Sequence, residues 1–89
     1  MQFNVPVVKK CLVDNQEVYT VRSYKSFDKF RVVPVDGVDY ISERMHQVTE
    51  IESIEDFVHL SGFECALDWW NKISGFGAVG GYMYHVYPL

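Results

Sequence analysis

The spacing of apolar residues changes several times along the chain, and each change marks an element. Over residues 4–15, Val5, Val8, Cys11 and Leu12 recur at three- and four-residue intervals. Asn4 suits a cap there and Pro6 a first helical turn. The valines would also suit a strand, but the spacing favours a short helix. Asp14-Asn15-Gln16 reads as a turn. Val18-Tyr19-Thr20-Val21-Arg22 is rich in β-branched and aromatic residues and predicts a strand. Residues 23–29 are polar and read as a loop. Residues 30–35 and 38–41 predict two strands joined at Asp36-Gly37, a dipeptide suited to a tight hairpin. Pro34 has no N–H to give a ladder, so its strand belongs at an edge or a bulge. Residues 46–52 alternate and predict a further strand.

Ser53-Ile54-Glu55-Asp56 has the form of a helix start, with Ser53 as N-cap and acids in the first turn. Gly62 ends that helix early. A second helix is predicted over residues 64–73, with Phe63, Ala66, Leu67, Trp70 and Ile73 as its apolar face. Trp69 lies about 100° around from Trp70. It is therefore expected at the helix boundary, against the sheet, a partner or a ligand. Residues 74–81 form a glycine-rich loop. Residues 82–87 predict a final strand, with Met83, His85 and Tyr87 on one face and Tyr82, Tyr84 and Val86 on the other. Strands around a short helical insert predict an α+β domain spanning residues 1–89. Its expected form is a small open or partly closed β-barrel of about five strands with two to three short helices.

Apolar residues are 48% of the 89 and aromatics 16%, enough for one modest core and too many for a disordered chain. Eight basic residues against twelve acidic ones give −4, which excludes a globally cationic nucleic-acid binder. The charge is uneven. Residues 1–44 hold seven basic and six acidic side chains, whereas residues 45–89 hold only Lys72 against six acids. No apolar run is long enough to span a membrane, and residues 1–10 lack the order of a signal peptide. Cys11 and Cys65 are too few for a disulfide scaffold and are expected as reduced, buried thiols in a cytoplasmic protein.

Candidate chemistry is sparse. Gly75-Phe76-Gly77-Ala78-Val79-Gly80 matches a dinucleotide fingerprint by letter. The motif needs a strand before it and a helix after it, and here the order is reversed. His46, His59, His85 and the cysteines lack the close paired spacing of zinc ligands, so neither metal nor cofactor is expected. Cys65 opens the second predicted helix, but nothing in the sequence sets a base beside it. The most informative segment is residues 19–31. Tyr19, Tyr24, Phe27 and Phe30 interleave with Arg22, Lys25, Lys29 and Arg31. Aromatic faces stack unpaired bases while cations follow phosphates, a combination used by single-strand binders.

The order of these motifs resembles that of ASCH domains, within the PUA-like superfamily. Thr20-Val21-Arg22 follows a short helix and a turn, as the T-V-R or T-I-R strand does there. Gln47-Val48-Thr49-Glu50-Ile51-Glu52-Ser53-Ile54 is similar to the strand leading into that family's helical insert. Ser61-Gly62-Phe63-Glu64 and the helix ending in Trp70 resemble its G-F turn and following helix, and residues 82–89 its closing strand. The resemblance implies a PUA-like barrel with a cleft floored by the Thr-Val-Arg strand, and RNA binding. Some bacterial members hydrolyse an acylated cytidine nucleoside with a Lys, a Thr and an acid. Thr20 matches that Thr, but Glu17 stands at the Lys position and Ser61 at the acid position. A carboxylate in place of the lysine reverses the charge where an oxyanion would form.

The sequence thus points first to a non-catalytic module binding RNA or a nucleotide-like ligand. Tyr19, Thr20, Arg22, Tyr24, Lys25, Lys29, Arg31 and Trp69 are its expected site. One alternative is a protein-interaction domain that meets a basic partner through Glu50, Glu52, Glu55, Asp56, Glu64 and Asp68. The other is a degenerate amidohydrolase.

Overall fold

The computed structural model describes residues 3–89. Helix α1 covers Pro6–Asn15. Its Val8, Cys11 and Leu12 are buried at the predicted spacing, and Pro6 sits at the helix start, where its missing N–H costs nothing. Val5 rather than Asn4 is the N-cap, and no side chain caps that end. Gln16 closes the helix with a left-handed backbone, φ 61°.

Four strands follow: β1 (Val18–Arg22), β2 (Phe30–Val35), β3 (Val38–Gln47) and, at the end of the chain, β4 (Tyr82–Pro88). They form one antiparallel sheet in the order β1-β4-β3-β2. The sheet is open and has four strands, not the five anticipated. Asp36 and Gly37 both take positive φ, 51° and 80°, the geometry that joins two right-twisted strands by a two-residue turn. Pro34 lies on an edge strand, where its missing N–H is harmless.

The predicted strand over 46–52 does not form. β3 runs without a break in the chain to Gln47, with a register shift between Arg44 and Gln47. Beyond it lie two short 3₁₀ helices, Ile51–Ser53 and Glu55–Leu60. Ser53 is not an N-cap; its hydroxyl donates to the Glu50 carbonyl instead. The reason is a period of three. Ile51, Ile54, Phe57 and Leu60 are all turned inward, while Glu52, Glu55, Asp56 and His59 are exposed. Three residues per turn is the 3₁₀ repeat.

Helix α2 covers Ala66–Gly75, later than predicted at both ends. Its buried face differs too. Trp69 is 3% exposed and Ile73 5%, while Leu67 is 58% exposed and Trp70 is only half-buried. Phe63 stands in a turn before the helix, so it does not set the helical phase. Counting from Ala66 brings Trp69 and Ile73 inward together. Cys65, at the N-cap, is exposed rather than buried; Cys11 is buried.

The helices cover opposite faces of the sheet. α1 packs Val8, Cys11 and Leu12 on Val18, Val33, Val35 and Val86. On the other face, Trp69 and Ile73 of α2 join Val48, Ile54, Ala78 and Met83. The two predicted faces of β4 therefore both become core. Full burial of such side chains contributes roughly 1.5–3 kcal/mol each.

Candidate functional site

Because β1 is an edge strand, its outer side has no neighbouring strand. The start of α1 and the length of α2, on opposite faces of the sheet, flank that side and leave a cleft of about 210 Å³. The floor is Thr20, Val21, Arg22 and Ser23. Asn4, Val5 and Val8 form one wall, and Trp69, Lys72, Ile73 and Phe76 the other, with Phe3, Phe63 and Ala78 completing the lining. Neither a carboxylate nor a histidine is among them.

Arg22 dominates the electrostatics. Its guanidinium stands over the Phe3 ring, 4.8 Å from the centroid. Its Nε is buried and has no hydrogen-bond partner among the described residues, and no carboxylate there pairs with it. Burial lowers its pKa, with only Tyr24 acting in the opposite direction. A buried donor left without a partner is costly, and no acid among the described residues neutralises the guanidinium charge. Lys72 supplies a second cation, its Nζ 5.7 Å from the centre of the exposed Phe76 ring. Asn4, Val5 and Val8, at the start of α1, line the same space, and the first turn of that helix holds no acid.

Of the eight residues expected from sequence, the cleft gathers three: Thr20, Arg22 and Trp69. Trp69 backs the wall; Phe76, 62% exposed, and half-buried Phe63 offer more ring surface. Tyr19 lies on the α2 face of the sheet but outside the lining. It stacks on His85 at 4.6 Å and meets Phe57 edge-on at 4.9 Å. Burial raises its pKa, with Glu17 and Glu43 adding to the effect. Tyr24 and Lys25 lie in the loop after β1. The Tyr84 hydroxyl holds that loop, donating to the Tyr24 carbonyl (2.9 Å) and accepting from the Ser26 N–H (2.7 Å). Arg44 also donates to the Ser26 carbonyl. Lys25 stands over Tyr82, Lys29 is 4.0 Å from Glu43, and neither lines the cleft. Arg31 is on β2, at the opposite edge of the sheet. The basic-aromatic segment is continuous in sequence and divided in space.

Asn4, Phe63, Lys72 and Phe76 were not anticipated. Only Lys72 carried a mark in the sequence, as the lone basic residue of the acidic half. Glu17, at the expected lysine position, points away from the cleft and meets His85 Nε2 at 3.0 Å. The Ser61 hydroxyl is occupied, donating to the Val58 carbonyl and accepting from the Phe63 N–H. Glu50, Glu52, Glu55, Asp56, Glu64 and Asp68 are all exposed. No group of three potential metal ligands occurs among the described residues, and no helix there is long and apolar enough to cross a membrane.

Comparison of the chain with family models, curated proteins and solved structures gives no significant match.

Proposed function

We propose that this domain is a non-catalytic binding module whose cleft beside β1 takes RNA or a nucleotide-like ligand. The observation that carries the proposal is Arg22, held at the cleft with a buried, unpartnered Nε and no carboxylate beside it. A cation placed there at a cost in solvation is matched by an incoming anion. Aromatic rings and the polar side chains of Asn4, Thr20 and Ser23 surround it, a lining suited to a base and its sugar. The volume is below the ~300 Å³ at which sites for drug-sized ligands begin. Such a cleft encloses part of one nucleotide and leaves the rest in solvent; it does not take a run of them. The resemblance to ASCH domains supports the same reading, since their Thr-Val-Arg strand floors a cleft.

The test is a titration of tryptophan fluorescence with short single-stranded and hairpin RNAs at several salt concentrations. Two cleft cations predict a slope of log K against log salt of about −1.4, against about −2.8 if four cations of residues 19–31 acted together. Arg22→Ala should abolish saturable binding, while Lys25→Ala and Arg31→Ala leave it within about twofold. A flat response from folded protein, or binding indifferent to Arg22, would overturn the proposal.

A further inference from the structure

The charge in the cleft narrows the ligand further, on the assumption that the nucleotide reading above holds. We propose that the group bound at Arg22 and Lys72 is a phosphate monoester on a nucleoside, as in a free nucleoside 5′-monophosphate or the 5′-phosphorylated end of an RNA. An internal phosphodiester carries a single negative charge. A monoester carries about −1.5 to −2 at pH 7, with a second pKa near 6. The lining holds two full positive charges, Arg22 and Lys72, and no negative one. The start of α1 adds the partial positive charge of a helix end that has neither a capping side chain nor an acid in its first turn. The monoester matches that total and the diester falls short of it.

Size points the same way. A cleft of about 210 Å³ encloses no more than part of one nucleotide, and a terminal one brings its full phosphate charge with it. The nucleoside takes the remaining surface. That surface is half-buried Phe63, backed by the buried ring of Trp69 (12° apart, centroids at 6.3 Å), and exposed Phe76, which continues the wall. Asn4, Thr20 and Ser23 give hydrogen-bonding groups that suit a base edge or a sugar hydroxyl. A phosphotyrosine ring has no polar edge to meet these groups, and buried Thr20 would be left without a partner, which favours the nucleotide among aromatic phosphates.

The experiment compares adenosine 5′-monophosphate, adenosine, inorganic phosphate, phosphotyrosine, and one RNA oligonucleotide with either a 5′-phosphate or a 5′-hydroxyl. Calorimetry and tryptophan fluorescence read the binding. The monophosphate should bind at least about tenfold tighter than adenosine, and the 5′-phosphorylated RNA by a similar factor over its 5′-hydroxyl form. Lys72→Gln should remove most of that factor, weakening the 5′-phosphorylated RNA several-fold more than its 5′-hydroxyl form. The factor should also shrink between pH 7.5 and 5.5, as the monoester takes up its second proton near pH 6. No histidine or carboxylate lines the cleft to compete.

Equal, Arg22-dependent affinity for the two RNA forms would overturn the monoester and leave the nucleotide-binding proposal standing. No binding of any probe by folded protein would overturn both. Tighter binding of phosphotyrosine than of the monophosphate would overturn the nucleoside assignment. Separate affinities for the free monophosphate and the phosphorylated RNA distinguish a small-molecule sensor from an RNA-end binder.

Discussion

Replacing Arg22 with methionine should make the unliganded protein more stable while ending its ability to hold an anion. The Nε of Arg22 is buried without a partner, which costs about 1–3 kcal/mol. Its guanidinium recovers part of that over the Phe3 ring, at about 0.5–1 kcal/mol for such a contact. Methionine keeps much of the aliphatic stem and has no donor to leave unmet. The balance is a gain of about 1 kcal/mol, or about 4–8 °C in Tm for a domain of this size. Thermal unfolding followed by circular dichroism, with urea midpoints as a second measure, reads it directly. Methionine should stabilise more than alanine, which also gives up the stem's packing. A fall in Tm of similar size for Arg22→Met would refute the reasoning, because the guanidinium would then be holding the fold together.

Four further predictions concern the core, a tightly packed glycine and the thiols. Trp69→Ala should cost about 3–5 kcal/mol and Trp70→Ala roughly half that, since Trp69 is the buried member of the pair; urea denaturation of both variants tests it. Gly81→Ala would set a Cβ against the carbonyls of Arg22 and Ala78, so a loss of about 1–3 kcal/mol is expected, together with weaker ligand binding. Cys65 should react quickly with a thiol reagent in the native protein and Cys11 only after denaturation. Burial raises the Cys11 thiol pKa above its ordinary 9.0. The fold therefore favours the neutral thiol, with that contribution intact below pH 9.0 and lost as pH climbs through the folded value. In Cys11→Val the alkaline loss of stability should be smaller, as urea midpoints across that range would show.

What could be read from the sequence was what short-range physics decides. Val18–Arg22 and Phe30–Val35 form where β-branched residues predict strands, and Asp36-Gly37 turns where two positive φ values are needed. Helix α1 follows from three apolar positions on one face. The 3₁₀ pair was also written in the chain, as Ile51, Ile54, Phe57 and Leu60 at every third place. It was obscured because Val48 and Ile51 also bracket polar residues as in a strand. The phase of α2 was not legible, since either tryptophan satisfies a helical stripe and only the start at Ala66 decides. The cleft was legible in part. Thr20 and Arg22 stand together on β1, but Arg31, nine positions later, is carried to the far edge by the strand order. Asn4, Lys72 and Phe76 meet only through tertiary packing, which no local pattern encodes.

The place of β4 has a consequence for how the fold is assembled. It is the last element in the chain and yet the only strand that bonds to both β1 and β3. Without β4, no ladder would join β1 to the β2–β3 hairpin, and each of the two apolar clusters would lack a member. Val86 and Met83 then enter the two apolar clusters from opposite faces of a single strand. Both layers, and with them the cleft at the edge of β1, wait on the same seven residues. The cleft therefore depends on a strand that contributes no residue to its lining.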